Sequence, residues 1–233
     1  MTFIKRIIQK MSSEKSSTLP VRAVIFDLDG TLIDSYDAHV ESFRRALSRF
    51  GLTVEDEEIH HRFGKPAKQI IKEILPENQH RHIDDIVRYK RLEFIETSKD
   101  MQVFDGVETL LKYLKGKGIS ICLATSADKP SVIRVVNKFN LENYFDVIIS
   151  SNDVKEAKPN PEMFIQASKR LEVDPKNCLV IGDSPFDVIA AKKAGMNVII
   201  VDNNPFQKTE IQSYKVPIIS NINQLTNFFE LTL

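Results

Sequence analysis

Five short apolar runs, at residues 21–26, 119–124, 147–150, 178–182 and 197–201, punctuate the chain and are too continuous for one-sided strands. Runs of this length, rich in β-branched residues, predict parallel strands buried on both faces. Between the later runs, apolar residues recur at helical spacing over 107–117, 130–139, 161–171 and 185–194. Proline opens the last three of these stretches, and Gly118 and Gly195 follow the first and the last, the expected punctuation of helices. Strands alternating with helices predict an α/β fold, a Rossmann-like parallel sheet core with helices on both faces.

Residues 36–100 break the alternation. Val40, Phe43, Leu47 and Phe50 hold helical spacing before Gly51, a short helix is expected in VEDEEIHHRF, another in PAKQIIKEIL, and a longer one around Ile83, Ile86, Val87, Phe94 and Ile95. No strand is expected there. The predicted organisation is therefore a core of residues 21–35 and 101–233, with a small all-helical cap domain, 36–100, inserted after the first strand. Residues 1–20 stand apart as an N-terminal extension, cationic over MTFIKRIIQKM and polar after it. Such a segment reads as a plain extension, possible disorder included, or as a transit peptide or surface anchor.

Charge narrows the partners. Thirty-two basic and 32 acidic residues cancel, so neither nucleic acid nor an anionic membrane is expected as a partner. No run approaches the roughly 18 apolar residues of a membrane span. The two cysteines, Cys122 and Cys178, lie in apolar runs and are expected to be free thiols. A cytoplasmic location follows as the expectation, or an organellar one if residues 1–20 are a transit peptide. Oligomeric state leaves no signal in the sequence.

In an open parallel sheet, ligands bind beyond the carboxyl ends of the strands. The residues that follow the runs are Asp27, Asp29 and Gly30, then Thr125 and Ser126, then Lys158, and then Asp183, Ser184 and Asp187. Carboxylates, hydroxyls and a lysine brought to one edge suit a hard cation and a phosphate. A phosphate ester approaching a carboxylate meets repulsion of about 4 kcal/mol per charge pair at 4 Å and an effective dielectric of 20. Magnesium bound by Asp27 and Asp183, with Lys158 and Thr125 on the phosphate oxygens, would offset it. Asp27 and Asp29, two apart, would face the same side of an extended chain, one to attack and one to handle protons. Gly30 would let the backbone turn sharply beside the phosphate.

The segment FDLDGTLIDS resembles the first motif of the haloacid dehalogenase superfamily of hydrolases; LATSA resembles its second motif, KPNPEMF its lysine motif and IGDSPFDVIAAKKAG its acidic fourth motif. The order matches over residues 21–202, and the helical insertion falls where subfamily I, with phosphoglycolate phosphatase and β-phosphoglucomutase-like phosphatases, carries its cap. The resemblance implies Asp27 as nucleophile and metal ligand, Asp29 as general acid/base with its carbonyl on the metal, Thr125 and Lys158 on the phosphate, Asp183 as metal ligand, and Asp187 supporting from behind. Family dehalogenases lack the second aspartate of DLDGT, and mutases often lack the threonine; Asp29 and Thr31 therefore favour phosphate-ester hydrolysis.

Structural alternatives stand beside these roles. Thr125 and Ser126 could cap the helix near Lys129, and Ser184 is better read as the cap of the 185–194 helix than as a ligand. Lys65, in a loop expected to face the site, could meet a second anionic group of the substrate or be a solvated lysine. His39 could contact substrate, as its counterpart does in β-phosphoglucomutase-like proteins, or be a buried helix histidine. The other histidines lack zinc-site spacing. The expected function is a Mg2+-dependent phosphatase acting on a small phosphorylated metabolite through an aspartyl-phosphate. The alternatives are a phosphomutase using the same intermediate and a non-catalytic binding module.

Overall fold

A computed structural model describes residues 21–232; the expectations for the N-terminal extension lie outside them. Six parallel strands form the sheet: β1 (Ala23–Phe26), β4 (Ser120–Ala124), β5 (Val147–Ile149), β6 (Cys178–Gly182), β7 (Asn197–Val201) and β8 (Ile218–Ile219), ordered β5-β4-β1-β6-β7-β8. Successive side chains in a strand face opposite sides, which is why the runs had to be apolar throughout. Val24, Phe26, Ile121, Leu123, Leu179 and Ile181 pack into one buried cluster, and Ala23, Ile25, Cys122, Ala124, Cys178 and Val180 into the other.

The first cluster is completed by α5 (Val107–Gly116), α6 (Lys129–Lys138) and α10 (Asn223–Thr232). The second is completed by α7 (Glu162–Leu171), α8 (Pro185–Lys193) and α9 (Lys208–Ser213). Cys122 and Cys178 are free and buried within it. Among the described residues no helix is long and apolar enough to cross a membrane.

The chain fills the sheet outward from β1, first to β4 and β5 and then back across to β6, β7 and β8. β1 lies at the point where the direction of winding reverses, so its carboxyl end opens into the crevice where such folds bind ligands. Asp27 is the first residue beyond it.

Between Asp34 and Gln102 the chain is helical: α1 (Tyr36–Ser48), α2 (Asp56–His60), α3 (Ala67–Ile74) and α4 (Ile83–Thr97), with 3-10 turns around α4. These helices share their own apolar cluster, including Phe43, Leu47, Ile59, Ile70 and Ile86. Two features were not expected. β2 (Ile33–Asp34) and β3 (Gln102–Val103) pair antiparallel, tying the two ends of the helical insertion together. β8 extends the sheet within a weakly patterned region. Both β2–β3 and β8 are two-residue strands, too short for periodicity to reveal.

Candidate active site

Beyond β1 the chain turns sharply at Gly30, whose φ of 76° lies in the left-handed region; a Cβ there would sit 2.6 Å from Asp183 Oδ2. The Gly30 carbonyl accepts from Asn203 Nδ2 at 2.9 Å. This turn places Asp27 and Asp29 on the wall of one cavity of about 280 Å³, shared with Thr125, Ser126, Lys65 and His39.

Around Asp27 the chemistry is dense. Lys158, fully buried, donates to Asp27 Oδ1, to Asp187 Oδ1 at 2.9 Å and to the Ala124 carbonyl at 3.2 Å. Burial alone would favour a neutral Lys158, but Asp187 and Asp27 outweigh it and hold the ammonium protonated well above the usual lysine range. Asp183 accepts from Thr31 Oγ1 at 3.0 Å and from the Tyr36 hydroxyl. Burial, reinforced by Asp187, pushes the Asp183 carboxyl up to about 7 despite those donors and Lys158. Burial likewise raises Asp27, with the three neighbouring aspartates, against the pull of Lys158.

Asp27, Asp183 and Asp187 bring ligand oxygens within 4.8 Å of one another. Three buried carboxylates face one ammonium, so the cluster is short of positive charge. Hard oxygen donors with excess negative charge fit a small divalent cation such as Mg2+.

Asp187 has two tasks. Its Oδ1 meets Lys158, while Oδ2 accepts from the backbone N–H of Ser184 at 3.1 Å and from its hydroxyl at 2.5 Å; the Ser184 Oγ in turn accepts from the Asp187 N–H, closing a capping box on α8. Ser184 is thus the helix cap, as read from the sequence.

Asp29 is wired differently. Its Oδ1 accepts from Ser35 Oγ at 2.8 Å and faces His39 Nε2 at 2.9 Å, and His39 Nδ1 lies 2.7 Å from Lys90 Nζ. The Lys90 ammonium can only donate, so Nδ1 accepts and Nε2 carries the proton given to Asp29. Burial, then Lys90, lowers the His39 pKa, consistent with a neutral ring. Burial would raise Asp29, but His39, the Ser35 hydroxyl and Lys90 outweigh it and hold its carboxyl at about 2. Its carboxylate takes no part in the cluster of three.

Thr125 and Ser126 follow β4. The cap of α6 is Asp128, which accepts from Ser131 N at 3.1 Å, so neither hydroxyl is needed there. Thr125 Oγ1 accepts from Ala127 N at 3.1 Å, whereas Ser126 Oγ donates to the Gly64 carbonyl at 2.7 Å and so binds the helical insertion to the core. Lys65 lines the cavity with its ammonium held by both oxygens of Glu73, at 2.8 and 2.7 Å. His39 lies behind Asp29 as its hydrogen-bond partner.

Three residues escaped the sequence reading. Lys90 lies on the Ile83, Ile86, Phe94 stripe of α4, and a lysine at a core-facing position was the available signal. Tyr36 and Gln207 left none: the contacts that tie Tyr36 to Asp183 and Gln207 to the helical insertion are tertiary. Gln207 Nε2 donates to the His61 carbonyl at 2.8 Å and faces that of Phe63 at 3.4 Å.

The family model for haloacid dehalogenase-like hydrolases matches residues 24–201. The chain belongs to the haloacid dehalogenase-like hydrolase family. Among its relatives is a phosphorylated carbohydrates phosphatase of Thermotoga maritima, 34% identical over 188 residues, which are 77% of this chain and 84% of that protein. The crystal structure of a β-phosphoglucomutase from Clostridium difficile is similar at 26% identity and a TM-score of 0.76, covering 88% of this chain and 93% of that one. A hydrolase from Pseudomonas syringae shares the fold at 22% identity and a TM-score of 0.80, over 91% and 99% of the two chains. Within this haloacid dehalogenase-like family the chain is an enzyme of the phosphatase type, and its Rossmann-like sheet is the family fold.

Proposed function

We propose that this family member is a Mg2+-dependent phosphatase that hydrolyses a small phosphorylated metabolite through an aspartyl-phosphate on Asp27. The observation that carries the proposal is the pairing of two unlike aspartates on one cavity wall: Asp27, tied to Lys158 within a cation-poor cluster, and Asp29, tied to His39 and Lys90.

Asp27 attacks phosphorus and the ester oxygen leaves. Asp29 gives that oxygen its proton and afterwards takes one from the water that cleaves the Asp27 acyl phosphate. Substrate phosphate adds negative charge beside Asp29, which raises its affinity for the proton it must carry. Lys158 stabilises negative charge on the transferring group, and Thr125 together with backbone N–H groups beyond β4 supplies further donors. Magnesium held by Asp27, Asp183 and the Asp29 carbonyl, with Asp187 and Lys158 behind, would neutralise charge on the phosphate. The helical insertion, 36–100, acts as a cap on the core, excluding water while the Gly64 loop is docked and releasing product when it lifts. A small metabolite fits the cavity volume and agrees with the phosphorylated carbohydrates named for the Thermotoga relative.

A panel of phosphate esters, assayed for phosphate release with Mg2+ and with chelator, tests this. Turnover requiring Mg2+ and absent in Asp27→Asn is the expected result. Undiminished turnover in chelator or in Asp27→Asn refutes the proposal, and accumulation of a bisphosphorylated product without phosphate release identifies a mutase instead.

A further inference from the structure

Four cations line the cavity, and each is engaged. Lys65 is held by Glu73, Lys68 Nζ meets Asp84 at 2.7 Å, Arg91 Nε meets Asp128 at 3.0 Å, and Lys90 faces His39. Lys68 and Arg91 have side chains 66% and 45% exposed, so solvent and salt screen their charges. Lys90 serves Asp29. Lys65, with a side chain only 16% exposed, is the one cation whose charge would act strongly on a ligand, and Glu73 holds it bidentately.

Gln69 Nε2 donates to Glu73 Oε1 at 3.0 Å, and Arg62 Nε lies 3.4 Å from Glu73 Oε2. These contacts position the Glu73 carboxylate for Lys65, and together they lower its pKa so that it remains ionised, although burial opposes them. Elsewhere on the wall the groups are uncharged or acidic. The hydroxyls of Ser131 and Ser151 have no hydrogen-bond partner among the described residues, and beyond Asp27 and Asp29 the one further acid there, Asp128, is paired with Arg91 and so offers an anion no net cation.

We infer that the enzyme selects phosphate esters whose leaving group is uncharged and hydroxylated, and that Glu73 is a specificity-determining residue that withholds Lys65 from a second substrate anion. This rests on the phosphatase reading above. A carboxylate or second phosphate on the substrate would have to draw Lys65 from Glu73 and leave that acid with only Gln69 and Arg62. A polyol needs only donors and acceptors, which the serine hydroxyls supply.

The test uses matched substrates: glycerol 3-phosphate against 3-phosphoglycerate, and glucose 6-phosphate against 6-phosphogluconate, each pair differing by a CH2OH or aldehyde carbon oxidised to carboxylate. The wild type is expected to favour the uncharged member of a pair by about tenfold in kcat/KM, the cost of drawing the largely buried Lys65 ammonium from its carboxylate. Glu73→Gln should narrow that ratio by about fivefold or more. Adding Lys65→Met to Glu73→Gln should restore it, because the gain comes through Lys65.

Preference for the charged members, or a ratio unmoved by Glu73→Gln in a protein of unchanged Tm, would overturn the inference while leaving the phosphatase intact. Turnover confined to esters without hydroxyls, such as phenyl phosphate, would overturn it too. Phosphate release from no ester would defeat the phosphatase reading itself, and the inference with it.

Discussion

Lys90→Met separates what the fold prefers from what the site requires. Lys90 is 8% exposed, and its ammonium lies 4.5 Å from the Phe94 ring centre and 5.0 Å from that of Phe43. Burial drives its pKa from 10.5 down to about 8, against the pull of Asp29 and Asp128. At about 1.4 kcal/mol per tenfold change in proton affinity, keeping this group protonated costs the folded state about 3 kcal/mol below pH 8. The unfolded chain keeps the proton to pH 10.5 and the folded chain loses it near 8, so between those values the unfolded state binds more protons and stability rises with pH. Methionine would fill the space without that cost but lose the cation–π contacts and the hydrogen bond to His39, together about 1–2 kcal/mol. Lys90→Met should therefore be about 1–2 kcal/mol more stable than the wild type at pH 7 and no more stable by pH 10.5. Urea unfolding of both proteins at intervals from pH 7 to 10.5 reads the crossing, because other groups cancel in the difference. The same variant should lose about 10- to 100-fold in kcat, since His39 no longer has a donor to fix its orientation toward Asp29. A variant already less stable at pH 7, with the two pH curves parallel, would refute the reasoning.

Gly182→Ala should destabilise the enzyme by about 1–3 kcal/mol through overpacking, since the new methyl would lie 2.6 Å from Asp187 Cβ beside the acidic cluster; urea unfolding measures it, and a neutral change would contradict the geometry. His60 stacks on Phe206 across the boundary between insertion and core, ring centres 3.7 Å apart, with Nδ1 buried and unpartnered. Burial lowers its pKa below 6.5, so a state that exposes the ring takes the proton first as pH falls, and docking of the insertion weakens below pH 6.5. KM should rise more steeply in wild type than in His60→Phe between pH 6.5 and 5.5, and equal slopes would remove His60 from the docking equilibrium.

The parallel sheet was legible because each strand is apolar on both faces and ends abruptly in polar residues. The same punctuation exposed Asp27, Asp29, Lys158 and Asp183, since topology alone delivers strand ends to one edge. What could not be read is how each side chain is engaged. Asp187 was expected to support from behind, and only the fold shows it reaching Lys158 and the Asp27–Asp183 pair while also capping α8. Lys65 could be read from sequence as a contact for a substrate anion or as a solvated lysine, and only the folded insertion brings Glu73, eight residues on, back across α3 to hold it. Gln207 and Tyr36 act through partners more than 140 residues away, a separation over which local pattern carries nothing.

The opposing environments of the aspartates can be set against the chemistry that the proposed mechanism demands of them. A nucleophile that receives a dianion belongs with acids that gather a divalent cation, and these acids lie buried together, Asp183 raised to about 7 first by burial and then by Asp187. A group that must donate and accept protons in alternate half-reactions cannot share that arrangement, because a tightly bound cation would hold it ionised throughout. Asp29 is held apart by one hydroxyl and one imidazole, with an ammonium behind them, and its carboxyl rests at about 2. Its carboxylate is held by hydrogen bonds, so an arriving phosphate can raise its proton affinity without breaking them. On the proposed mechanism Asp29, ionised in the free site, becomes an acid only once substrate phosphate raises its proton affinity, and a module that only binds phosphate needs no such proton carrier beside Asp27.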